Sequence, residues 1–272
     1  MVFICDATGR LVQANAEFNR FFPEEDSPRR TRTLAECIPS EHDNRHITAA
    51  LAQALAAQES VRLEVECLKG DGARAVLAIE FSPLPALDPD TPLIACVGYD
   101  VSESRKAQAA LRYRLEFEKI ITRISSEFIN IAPNDVDSAI SDALQGIVEF
   151  TDSRRGFVFL LDEGGQSVSN THKWTRKGVD SNQQELQRLA LHEFPWAVEK
   201  LVKSQESAII TDVVELPADA QGERRLLERL GVKSLVLAPM IFGGPTIGGV
   251  GLEGASKPRE WTPDEIALLR FA

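Results

Sequence analysis

The chain has 272 residues, 43% of them hydrophobic and 26% charged, with 30 Lys and Arg against 41 Asp and Glu for a formal net charge of −11. That is length for two ordinary domains; the acidic balance argues against a nucleic-acid surface, and no apolar run reaches the length of a bilayer span. The four cysteines, Cys5, Cys37, Cys67 and Cys96, lie far apart with no CxxC pair, which speaks against a disulfide framework or zinc site and for a reducing, cytoplasmic setting.

In chain order, Val2 to Cys5 reads as a strand with no leader-like segment before it, Asp6 to Arg10 as a turn, and Leu11 to Ala14 as a second strand. Asn15 is placed to cap a short helix carrying Phe18, Phe21 and Phe22. Ile47, Ala50, Leu51, Ala54 and Leu55 recur on one helical face. Val61, Leu63, Val65 and Cys67 alternate with Arg62, Glu64 and Glu66, as in a half-buried strand. Gly70-Asp71-Gly72 turns this strand into one carrying Leu77, Ile79 and Phe81, and Leu93 to Val97 closes the set. Asp100 and Glu103 have capping-box spacing, and Val101 to Ala132 contains no Gly or Pro. Two strands, short helices and three strands make an antiparallel sheet with helices on one face.

The residues 2–15, then Pro39-Ser40-Glu41-His42-Asp43, then Asp100-Val101-Ser102-Glu103 resemble a PAS sensor domain. That resemblance implies a small-ligand pocket between sheet and helices, or a dimerising surface. A flavin-photosensor run is absent around Cys37. His42 and His46 share a helical face and raise the question of metal or haem iron; with no further ligands at matching spacing they read as a solvated first turn.

From residue 103 to 130 a helical linker is expected. Ala110, Phe117 and Ile124 repeat every seven residues, as do Ile121 and Phe128, giving an a/d-like seam for a coiled coil between two copies of the chain. The alternative is that Ile120 to Phe128 packs on the second domain as its first helix. Residues 105–123 carry six basic and two acidic side chains, read as the solvated flank of that helix.

In the second half, Val136, Ile140, Leu144, Ile147 and Val148 form a helical stripe. Gly156 to Leu161 is a strand, Asp162 to Gly165 a turn, and Val168 to Trp174 the returning strand. Phe194 to Val202 reads as helix, Ala208 to Val213 as strand, and Pro217 to Leu230 as an amphipathic helix. Ser234 to Ile241 and Ile247 to Leu252 form a hairpin around Gly243-Gly244-Pro245. Thr262, Pro263 and Glu265 open the last helix with an N-cap, a first-turn proline and a capping box. Both ends of the chain read as cut within an element, so a fragment of a longer protein is expected.

Ile124 to Asn130, Lys173 to Val179, Phe194-Pro195-Trp196, Leu216 to Ala220, Gly231 to Met240 and Trp261 to Arg270 resemble a GAF domain. GAF domains of this kind follow a PAS domain in bacterial multidomain proteins that end in a histidine kinase, a cyclic-dinucleotide enzyme or another output. Gly249-Val250-Gly251-Leu252-Glu253 departs from relatives that carry aromatic residues there, which bears on pocket shape. No Cys follows Cys96 to attach a bilin. Phe157, Phe159, His172, Trp174, Trp196 and Asp212 are the candidate pocket residues, aromatic walls with few polar groups; taken singly, each reads first as a core or rim residue. Residues 249–254 match GxGxxG, but the next helix starts only near Thr262, so they read as a glycine-rich strand rather than a dinucleotide loop.

The expectation is an α+β chain of two domains, each an antiparallel sheet with flanking helices: a PAS-like domain over 1–102, a helical linker over 103–130 and a GAF-like domain over 131–272. It is expected to be a non-enzymatic sensory segment that binds an unknown small-molecule effector, forms a homodimer and signals to an output domain outside this chain. No nucleic-acid or membrane partner, no metal and no covalently bound cofactor is expected. The alternatives are a ligand-free structural dimerisation module and a haem or redox sensor.

Overall fold

Period-two alternation lays down both sheets, and helical stripes cover them. The computed structural model describes residues 1–23, 32–38, 40–85, 91–129, 131–178, 186–254 and 257–271. Pro39, Asn130, Val179 and Ala272, which figured in the sequence reading, lie outside the described residues. The chain divides into two compact units, Met1–Arg112 and Tyr113–Ala272.

The first unit runs β1 (Val2–Asp6), β2 (Leu11–Ala14), α1 (Ala16–Phe21), α2 (Leu34–Cys37), α3 (Glu41–Ala57), β3 (Val61–Leu68), β4 (Arg74–Pro83) and β5 (Leu93–Asp100). The sheet order is β2-β1-β5-β4-β3, antiparallel throughout. The Asn15 side chain accepts from the Phe18 backbone N–H at 2.9 Å and so starts α1. Ser40 does the same for α3 through the Asp43 N–H at 3.2 Å. Phe18, Leu34, Ile47 and Leu51 from the helices meet Phe3, Leu77, Ile79, Phe81 and Ile94 from the sheet in one buried cluster. Each large apolar side chain buried there contributes roughly 1.5–3 kcal/mol. All four cysteines are free and buried in this unit; the Cys5 and Cys96 sulfurs lie 3.7 Å apart.

The expected capping box at the end of this unit does not form. Asp100 accepts from the Ser102 N–H at 3.0 Å and pairs with Lys69 at 2.7 Å, while Glu103 pairs with Lys106. One Asp100 oxygen takes the Ser102 N–H at the start of the helix and the other takes Lys69 on the β3–β4 turn, so the side chain bonds two residues on rather than three.

The helix α4 (Ser102–Ile129) is continuous across the division between the units. The second unit continues with α5 (Val136–Phe150), β6 (Arg155–Leu161), β7 (Ser167–Thr175), β8 (Leu189–Ala190), α6 (Pro195–Val198), β9 (Ala208–Ile210), α7 (Gln221–Arg229), β10 (Leu235–Ile241), β11 (Thr246–Glu253) and α8 (Pro263–Phe271). Its sheet order is β8-β7-β6-β11-β10-β9, again antiparallel. Two expected elements are shorter than their sequence patterns. A 3-10 turn over Val213–Glu215, capped by Asp212, follows β9, and α7 begins four residues after Pro217.

Alternation sorts the strand residues of this sheet onto two faces. Val158, Val236, Ala238, Val250 and Leu252 pack with Leu144, Ile147 and Val148 of α5, Leu268 and Leu269 of α8, and Ile124 of α4. Phe157, Leu235 and Ile210 pack on the other face with Val213, Ala220 and Leu227. The final helix opens as its sequence predicts: Thr262 Oγ1 accepts from the Glu265 N–H at 3.3 Å, and Glu265 accepts from the Thr262 N–H at 2.9 Å.

Ile124 is 3% exposed within the core of the second unit, with Phe117, Ile120 and Ile121 packed against the same cluster. Phe117 meets the ring of Phe150 at 6.1 Å between centroids. The a/d-like seam is therefore consumed inside one chain at Phe117, Ile121 and Ile124, while Ala110 and Phe128 are exposed. The face of α4 left uncovered carries Leu111, Leu115 and Ile129.

Candidate functional site

A cavity of about 160 Å³ lies under the second sheet, between β6, β10 and β11 on one side and α6 and α7 on the other. Its wall is built mostly of Leu, Val, Ile, Phe and Trp; the polar side chains in it are Arg155, Glu223, Thr246 and Glu253. Phe157 and Phe159 stand two apart on β6 and so share the cavity face, with ring centroids 5.3 Å apart in an edge arrangement. Trp196 reaches the wall from α6, and Leu226, Leu227 and Leu230 reach it from the apolar stripe of α7.

Gly248 and Gly249 of β11 line the cavity. A Cβ on Gly248 would lie 2.1 Å from the Phe159 carbonyl oxygen, and one on Gly251, further along the strand, 2.6 Å from the Val236 carbonyl oxygen. The absence of aromatic residues on this strand is thus tied to close strand packing. It also explains residues 249–254 as a glycine-rich strand end: β11 runs from Thr246 to Glu253 and no helix follows directly.

At one end of the wall Glu253, 2% exposed, is held by Arg155 at 2.8 Å and Arg154 at 3.3 Å. Burial pushes the Glu253 carboxyl up, with Arg155, Arg154 and Lys173 opposing it. Burial and the nearby Arg155 push Lys173 down, with Glu253 opposing. Thr246 donates its hydroxyl to the Leu201 carbonyl at 2.9 Å. Glu223, 5% exposed, accepts the Ala197 N–H through Oε1 at 3.0 Å, tying α7 to α6.

Of the six candidates read from the sequence, Phe157, Phe159 and Trp196 line the cavity. His172, Trp174 and Asp212 do not. The strand register gives the reason. His172 stands opposite Val158, and Trp174 opposite Gly156. Directly paired residues share a face, so both turn toward α5. His172 meets Asp137 of α5 at 3.1 Å, and Trp174 packs on the α5 cluster. Asp212 caps the following 3-10 turn by accepting from the Val214 N–H at 3.0 Å. Arg155, Glu223, Thr246 and Glu253 were not singled out in the sequence. Glu223 had a signal: it sits three, four and seven residues before Leu226, Leu227 and Leu230, a charge on the apolar face of its helix.

His42 and His46 stack edge-on at 4.2 Å on an exposed helical turn. Among the described residues no three His, Cys, Asp or Glu gather to hold a metal ion, and no described helix is long and apolar enough to cross a membrane.

The GAF domain family matches residues 133–271, and the PAS fold family matches residues 1–106. The chain belongs to the GAF domain family. In this chain a PAS fold region precedes the GAF domain. A methanogenesis regulatory histidine kinase, FilI, from Methanothrix harundinacea is 23% identical over 283 residues, aligning with all of this chain. The chain spans 30% of the length of that relative. Among solved structures, the phycocyanobilin-bound GAF domain of a cyanobacterial phytochrome is similar at 20% identity, over 57% of this chain and 88% of that one, with a TM-score of 0.48. A domain of a putative two-component sensor histidine kinase from Sinorhizobium meliloti is similar at 19% identity, over 52% and 86%, with a TM-score of 0.38.

Proposed function

We propose that this PAS–GAF segment senses a small apolar effector in the cavity of the GAF unit and passes the change along α4 to an output domain outside the chain, of the histidine-kinase kind found in its relative. The observation that carries this reading is the cavity itself. Close-packed interiors leave few voids larger than a water molecule. This pocket is half-open, walled by aliphatic and aromatic side chains, and its volume of about 160 Å³ has room for a single ring such as benzene. The wall offers few polar groups, so recognition rests on burial of apolar surface with a small number of orienting contacts. The cavity lies on the opposite sheet face from Ile124, yet Phe157 on one face and Val158 on the other are consecutive residues of β6. A shift of β6 on filling the cavity therefore reaches the layer where α4 packs.

The segment carries no phosphate loop and no kinase box in its sequence, and we read it as non-catalytic. Homodimerisation belongs to the same reading and uses the uncovered α4 face that carries Leu111, Leu115 and Ile129.

The test is calorimetric titration of the purified chain with toluene. Binding is expected at a stoichiometry of one per chain and is expected to be lost in Ala197→Phe, which adds volume to the cavity wall. Absence of binding to the folded wild-type chain would contradict the proposal.

A further inference from the structure

We infer that the effector carries an unbranched alkyl chain, and that this chain lies lengthwise in the cavity, along β6 and β11. The inference rests on the reading of the cavity as the effector site and adds the ligand's chemical class to it.

The strand register carries the argument. Arg155, Phe157, Phe159 and Leu161 all line the cavity, so its wall follows one face of β6 from the first residue of the strand to the last. At a rise of about 3.3 Å per residue that is a length of roughly 20 Å. β11 repeats the run beside it: Glu253 stands opposite Arg155 and Gly248 opposite Leu160, and both Glu253 and Gly248 line the cavity. At the far end Leu161, Val168 and Leu189 follow one another across three paired strands, and all three line it. The cavity is therefore a groove as long as its strands, and a volume of about 160 Å³ spread over that length makes it narrow. A single ring fills one stretch of such a groove; an extended chain fills its length.

The chemistry of the wall suits methylene groups. Its polar side chains are engaged with the protein itself: Glu253 with Arg155 and Arg154, the Thr246 hydroxyl with the Leu201 carbonyl, and Glu223 with the Ala197 N–H. What the groove presents is the rings of β6, the bare backbone of Gly248 and Gly249, and the leucines of α7. A methylene asks for no hydrogen bond, and each one buried against such a wall adds to affinity in proportion to the area it removes from water. An extended carbon chain advances roughly 1.2 Å per bond, as an extended backbone does, so about ten carbons lie within the groove with length to spare.

The experiment titrates the whole chain calorimetrically with 1-hexanol, 1-octanol and 1-decanol, which share a head group and differ only in chain length, and with 1-adamantanol, whose carbons form a compact cage. Each alkanol is expected to displace toluene, and affinity is expected to rise about fourfold per added methylene up to 1-decanol, the factor for full burial of a CH₂. The cage of 1-adamantanol is too wide for the groove and is expected to bind more weakly than 1-hexanol. An affinity that levels off beyond 1-hexanol, a 1-adamantanol affinity equal to that of 1-decanol, or alkanol binding that does not displace toluene overturns the extended chain and leaves the effector cavity standing. Failure of toluene and of all the alcohols to bind the wild-type chain overturns the cavity and this inference together.

Discussion

At Asp100 one carboxylate closes the last strand of the PAS unit and starts the helix that follows. Burial pushes its carboxyl up, but hydrogen bonds from Lys69 and Ser102 outweigh this and hold it at about 2, below the usual 3.8. A depressed carboxyl contributes stability that is present above its unfolded pKa and is lost as pH falls through the folded one. Between pH 3.8 and about 2 the PAS unit should therefore lose stability in part through this group. Urea denaturation of Asp100→Asn should show a smaller loss across that window than the wild type; an equal loss would remove Asp100 from the account. Gly222 gives a second residue-scale prediction. A Cβ there would stand 1.6 Å from the Glu193 carbonyl oxygen, so α7 reaches its place over the cavity only without a side chain at 222. Gly222→Ala should cost about 1–3 kcal/mol in the same measurement, the usual range for overpacking. The contrast between the two capping boxes shows what sequence can hold at this scale. At Thr262 and Glu265 all partners lie within four residues and the box forms as read. At Asp100 the second oxygen's partner is Lys69, thirty-one positions away, and local spacing does not reveal it.

At the scale of the element, α4 shows how a repeat can be right and its partner wrong. Phe117, Ile121 and Ile124 do form one apolar face, as their spacing says. Spacing is silent on what covers that face, and α5 and α8 do so within the same chain. Phe117→Glu should accordingly destabilise the GAF unit, by about 2 kcal/mol or more, through lost packing and a carboxylate facing apolar neighbours. Leu115→Glu, on the uncovered face, should leave unfolding within about 0.5 kcal/mol of the wild type while shifting the proposed homodimer toward monomer in sedimentation velocity. A fully dimeric, folded Leu115→Glu chain would place dimerisation elsewhere. The cavity residues divide by the same logic. Alternation along β6 puts Phe157 and Phe159 on one face, and that much is legible. Whether Trp174 and His172 join them depends on the β6–β7 register, which shifts between Val158 and Phe159 and is set by pairing across strands rather than by either strand's own pattern.

For the molecule as a whole, the order of strands and helices in each unit was legible because both sheets are antiparallel, with clear alternation and strong turn residues. The cavity was legible only in its aromatic wall. Its polar members, Arg155, Glu223, Thr246 and Glu253, come from three separate elements that meet only in the folded chain. Under the proposed function, filling this cavity is felt across the sheet by α4. Amide hydrogen exchange measures local opening free energies segment by segment, and the decisive comparison is of the chain with and without saturating toluene. The account predicts slower exchange on ligand binding in β6 and in the part of α4 around Phe117 to Ile124, alongside the cavity wall itself. Protection confined to α6 and α7, with α4 exchanging at the same rate in both states, would contradict it.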